Sequence, residues 1–159
     1  MTRLQVPLSC LLAITLPCQA AAQDREMSPL AAWRSLDVSV LVERAGAVDP
    51  ETRTRAARAL RARRGAPAPA TAVLVGLLTD DTAVPIAVCQ AGDDRDAHGV
   101  PRTTSPGREA AGALAAAGAV ALAPLTTALE HRSAIARGHA ALGLGMLDDA
   151  RAVESLMRI

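Results

Sequence analysis

One short pattern recurs along this chain and limits its folding options more than any other feature. Ala56-Ala57-Arg58-Ala59-Leu60, Ala110-Ala111-Gly112-Ala113-Leu114 and Ala140-Ala141-Leu142-Gly143-Leu144 are three copies of it. Each is followed by a second apolar run whose anchor leucines fall in matching frame, at Leu74, Leu125 and Leu156. Three and four residues beyond the anchors stand Leu77/Leu78, Ala128/Leu129 and, at three, Ile159. That spacing puts apolar residues on one face of a helix. Two helices in a unit of about 30 residues make a hairpin, and hairpins repeated at a fixed period stack because none buries its apolar face alone. The second and third copies obey the period, whereas extra residues separate the first from the second.

Composition supports helices throughout. Half of the 159 residues are hydrophobic, yet there is no Phe or Tyr, and Trp33 is the only aromatic residue. The core must be built from Ala, Leu and Val, and Ala and Leu are strong helix formers. Start signals stand at Ser28-Pro29, at Asp49-Pro50-Glu51 and at Ser105-Pro106, where a capping side chain precedes a first-turn proline. Stop signals are Gly46, Gly65 and Gly118. An N-terminal helix is expected over about 29–45, with Leu30, Trp33, Val40 and Leu41 on its apolar face. The expected fold is all-α, a solenoid of about three helical hairpins preceded by that helix.

The N-terminus reads as a cleavable signal peptide over residues 1–22. Arg3 supplies the positive charge, Leu8 to Leu16 form an apolar run too short to span a bilayer as a helix, and Ala20-Ala21-Ala22 gives the small-residue cleavage pattern. Cutting there leaves Gln23 first, removes Cys10 and Cys18, and leaves Cys89 with no internal disulfide partner. The expectation is a periplasmic or secreted protein without a stable membrane span after cleavage. Net charge is +1, which gives no global case for nucleic acid. The division expected is 1–22, then 23–48 as the N-terminal helix, then 49–159 as the repeat domain.

Residues 79–104 interrupt the period. They hold Asp80-Asp81, Gly92-Asp93-Asp94-Arg95-Asp96, His98-Gly99 and Pro101, and read as a long loop with one helical turn near 84–89.

The alanine-pair copies in a paired-helix period resemble HEAT-like repeats of the type first described in bilin lyases. That family pattern runs Val-Arg-x-x-Ala-Ala-x-Ala-Leu-Gly. Thr52-Arg53 fits it before the first copy, and Arg137 fits before Ala140, Ala141, Leu144 and Gly145. The second copy departs, with Gly107 in the arginine position. Leu147 to Glu154 resemble the family's inter-helix turn and second-helix start. The resemblance covers about 49–159 apart from the insert. It implies stacked hairpins and a scaffold that binds a protein partner, with lyase chemistry in a few members only.

Candidate chemistry gathers in two places. Asp80, Asp81, Cys89, Asp93, Asp94, Asp96 and His98 are oxygen, sulfur and nitrogen donors in or beside the insert, yet no paired metal-ligand spacing occurs. Glu130-His131 is a lone pair in the reverse of the His-Glu order that iron-dependent HEAT-like hydroxylases use. No nucleophile elbow occurs, and Cys89 has no basic neighbour in sequence. The second place is a basic helix with Arg53, Arg55, Arg58, Arg61, Arg63 and Arg64, suited to an acidic partner or to anionic lipid head groups. The expectation is therefore an exported scaffold for protein–protein interaction, with no catalytic, metal or cofactor residue assigned. Partner contacts are assigned to Arg58, Arg61 and Arg64 and to Asp93, Asp94, Asp96 and His98. The competing readings are a metal-dependent or lyase-like enzyme using the insert, and a fragment of a longer repeat protein.

Overall fold

A computed structural model describes residues 30–63, 68–89, 95–96, 98–100 and 102–158. The expected signal peptide, Ser28-Pro29, Gly65, Ile159 and three assigned partner residues (Arg64, Asp93 and Asp94) lie outside the described residues.

The chain is an all-α solenoid. Its helices are α1 (Ala31–Arg34), α2 (Val38–Ala45), α3 (Pro50–Arg61), α4 (Ala68–Leu77), α5 (Pro106–Ala117), α6 (Leu122–Ala128), α7 (Ala134–Met146) and α8 (Ala150–Leu156). The first helices of the hairpins, α3, α5 and α7, stack in order, and the second helices, α4, α6 and α8, stack beside them. Each second helix also packs on the first helix of the next hairpin, α4 on α5 and α6 on α7. At the N-terminal end α2 packs on both α3 and α4. This neighbour-to-neighbour order gives a solenoid a core that runs through the stack.

The repeated motif makes that core. Ala56, Ala57 and Leu60 of α3, Ala110, Ala111 and Leu114 of α5, and Ala140 and Leu144 of α7 are buried, as are the anchors Leu74 and Leu125. Leu156 is half-buried against the same core. Small alanines let the helices come close, and the leucines fill the gaps. The stretch Pro106–Ala128 is long and apolar enough by composition to cross a membrane. Here its α5 part is buried against α3, α4 and α7.

Helix starts follow the expected caps. The Asp49 carboxylate accepts from the Thr52 N–H at 2.8 Å, and the Ser105 hydroxyl accepts from the Arg108 N–H at 3.2 Å. Ser133 and Asp149 cap α7 and α8 in the same way. Hydrogen bonds from Arg151 hold the Asp149 carboxyl down to about 2.

Two expectations need correction. The single N-terminal helix is two, α1 and α2, broken at Ser35-Leu36-Asp37. The carbonyls freed at the break are used: Arg63 donates to the carbonyls of both Arg34 and Leu36. Leu30 and Leu41 are buried and Trp33 packs on the core, with Arg44 stacked 4.7 Å from its ring centre. The insert is not simply a loop. Val84–Pro85 (β1) and Thr103–Thr104 (β2) pair antiparallel, Val84 opposite Thr104, and the turn near 84–89 is a 3-10 turn over Ile86–Val88.

The departure at Gly107 has a steric cause. In the first and third hairpins the motif arginine clamps the preceding turn: Arg53 donates to the carbonyls of Ala47 and Val48, and Arg137 to those of His131 and Arg132. In the second hairpin the space beside α5 is taken by the His139 ring and the Asp80 carbonyl. A Cβ on residue 107 would lie 2.5 Å from His139 Nδ1 and 2.8 Å from Asp80 O. No side chain fits there, and the Gly107 N–H donates to that Asp80 carbonyl at 2.8 Å instead.

Candidate functional site

The residue just before each alanine pair is polar in every copy: Arg55, Glu109 and His139. All three hold the insert. Arg55 Nε donates to the Val88 carbonyl at 3.2 Å. Glu109 Oε1 accepts from the Thr104 hydroxyl at 2.8 Å and from Arg58 at 2.9 Å. His139 Nδ1 lies 2.9 Å from the Leu78 carbonyl, and its Nε2 lies 3.6 Å from Asp81. One register position on stacked helices thus fixes both ends of the inserted segment to the repeat core.

Among the described residues the donors of the insert form no shared centre. Asp80 pairs with Arg53 at 2.6 Å. Burial raises the Asp80 carboxyl pKa, but hydrogen bonds from Thr82 and the Arg53 guanidinium outweigh it and leave the carboxyl below its usual range. Asp96 Oδ1 accepts from the backbone N–H groups of His98 and Val100 and closes an exposed turn. His98 stands exposed on that turn. Among the described residues no three His, Cys, Asp or Glu side chains lie together as metal ligands would.

Cys89 is buried, 2% exposed. Burial and the Glu109 charge push its thiol up to about 11, against the opposing pull of Arg58 and Arg55. Two basic groups that sequence distance concealed therefore lie near it, yet the protonated thiol wins and is a poor nucleophile.

The basic helix behaves differently from a uniformly solvated face. Arg53 and Arg55 are committed to Asp80, Glu51 and backbone carbonyls, and Arg63 to α1. Arg58 bridges to Glu109, which is 4% exposed and whose Oε2 has no hydrogen-bond partner among the described residues. Arg58 and Arg61 then line a groove of about 790 Å³ with Arg34, Ala116, Met146 and Asp148. The groove crosses the C-terminal ends of α1, α3, α5 and α7, so every hairpin contributes to it. Cationic side chains suit the negative ends of α1 and α3. Among the described residues the guanidiniums of Arg34 and Arg61 make no ion pair. Gly112 leaves room for the Arg61 side chain, which a Cβ there would meet at 3.0 Å.

Asp148 closes the far end. Its φ of 53° is the only positive value at a non-glycine among the described residues, a conformation aspartate tolerates better than most side chains. It also borders a second depression of about 410 Å³ lined by Leu144, Ala152, Val153 and Leu156. Sequence reasoning found Arg58 and Arg61 but missed Arg34, Ala116, Met146 and Asp148. The missing signal was available only as the common position of these residues at first-helix ends. The Arg58–Glu109–Thr104 chain links the groove to the C-terminal end of the insert through one buried carboxylate.

Fold and groove together define an α-helical repeat protein with a basic cleft along one edge of its stack. The solved complex of CpcE and CpcF of phycocyanin lyase from Nostoc sp. PCC7120 is similar to this chain at 26% identity, with a TM-score of 0.49. The similarity covers 78% of this chain but only 42% of that one, so this chain spans less than half of the relative's length. No protein-family model matches the chain, and no curated protein matches it.

Proposed function

We propose that this protein is an exported repeat scaffold that holds a segment of a partner protein in the groove at its first-helix ends. The observation that carries this reading is the construction of the groove: side chains from α1, α3, α5 and α7 line one continuous depression. A surface shared by successive repeats is the usual recognition surface of a solenoid. Its size also falls within the range of ligand clefts, roughly 300–1,000 Å³. Export rests on the sequence pattern of residues 1–22.

The test is affinity capture from the host's envelope fraction with the full chain and with Arg34→Glu/Arg61→Glu. The expected result is a discrete partner held by the first and lost by the second, with the protein recovered outside the cytoplasm and beginning at Gln23. Equal capture by both would remove the groove from the account, and a cytoplasmic protein that keeps residues 1–22 would remove export.

A further inference from the structure

Resting on that reading of the groove, we infer that its ligand is an acidic peptide segment, bound in one direction. Arg34 and Arg61 present guanidiniums without ion pairs among the described residues, while Arg58, paired with the buried Glu109, lines the groove beside them. At the opposite end Asp148 presents a carboxylate beside Met146, which is 41% exposed. The cleft is therefore positive where α1 and α3 end, and apolar then negative where α7 ends.

Guanidinium forks match carboxylates with two parallel hydrogen bonds, a geometry that ammonium groups lack. Ala62 and Ala116 also line the groove. Such short side chains let an extended main chain lie close to the helices. A segment whose carboxylates face Arg34 and Arg61 and whose next apolar side chain covers Met146 satisfies every part of the lining. The reverse direction would set a carboxylate against Asp148, and like charges brought together discriminate against the wrong partner.

The experiment uses the full chain and fluorescence anisotropy. The probes are a fluorescein-labelled peptide of glutamates interspersed with leucines, its counterpart with lysines for glutamates, and phosphatidylglycerol vesicles. The acidic peptide is expected to bind, to weaken steeply as salt rises, and to lose at least tenfold in affinity in Arg34→Ala/Arg61→Ala. The control Arg132→Ala/Arg158→Ala removes exposed arginines outside the groove and is expected to change affinity less than twofold. Asp148→Asn is expected to tighten the acidic peptide severalfold. All of the arginines substituted are exposed, and a cooperative thermal transition in each variant confirms folding.

Binding undiminished by the groove substitutions, equal binding of the lysine peptide, or binding of vesicles instead of peptide would overturn the inference. So would the absence of acidic-peptide binding. If a photo-crosslinker at Ala116 still traps a protein in that case, the groove reading stands and only the acidic ligand falls. If it traps none, both fall.

Discussion

At the scale of single residues, the strongest constraint is the space around Gly107. The repeat pattern calls for arginine there, and the fold forbids any side chain because the His139 ring and the Asp80 carbonyl occupy the place. Gly107→Ala is expected to destabilise the protein by about 1–3 kcal/mol, the usual cost of overpacking, measured by denaturant unfolding. Prior removal of the ring by His139→Ala should recover part of that loss but not all, since the Asp80 carbonyl remains. Asp80 itself gives a pH dependence. Its folded pKa lies below the unfolded value, so its stabilisation is present above that unfolded value and is lost as pH falls through the folded pKa. Arg53→Ala removes part of the cause. The variant should lose less of its stability than the parent between neutral pH and pH about 3, read from parallel acid titrations. A parent curve no steeper than the variant's would contradict the assignment.

At the scale of elements, the insert is the part whose form the sequence concealed. Two residues of strand on each side carry no alternation to detect, and Val84 and Thr104 are far apart in sequence, on an insert whose flanking helices α4 and α5 pack on each other. The first helices were legible because alanine pairs and leucines recur on one face, and their caps were legible at Asp49 and Ser105. The break between α1 and α2 was not, because Arg63, far along the chain, supplies the donors that satisfy it. Cys89 reports on the insert's attachment. With its thiol buried and raised to about 11, it should react slowly with iodoacetamide at pH 8 in the native protein and rapidly after unfolding, followed by peptide mass spectrometry. Glu109→Gln removes the anion that Arg58 pairs with and weakens the hold on Thr104. It should cost on the order of 1–2 kcal/mol and speed Cys89 labelling, both by loosening the insert and by removing a charge that raises the thiol, whereas unchanged labelling would contradict both roles of Glu109.

At the scale of the whole molecule, stacked hairpins create a surface that no single helix carries. Arg34, Arg61, Ala116 and Met146 are scattered through the sequence, and only the register of α1, α3, α5 and α7 brings their ends to one groove. That is why the sequence singled out Arg58 and Arg61 on the arginine-rich helix but not the Arg34, Ala116, Met146 and Asp148 that join them in the groove. The central claim is that a partner lies along this groove. The most direct measurement is site-specific photo-crosslinking in the host, with the crosslinking residue at Ala116 in the groove or at Val120, which is 63% exposed and lies outside the groove lining. A discrete crosslinked partner is expected from Ala116, absent from Val120 and abolished by Arg34→Glu/Arg61→Glu. The same products from both positions, or products from Ala116 that survive the charge reversal, would contradict the claim.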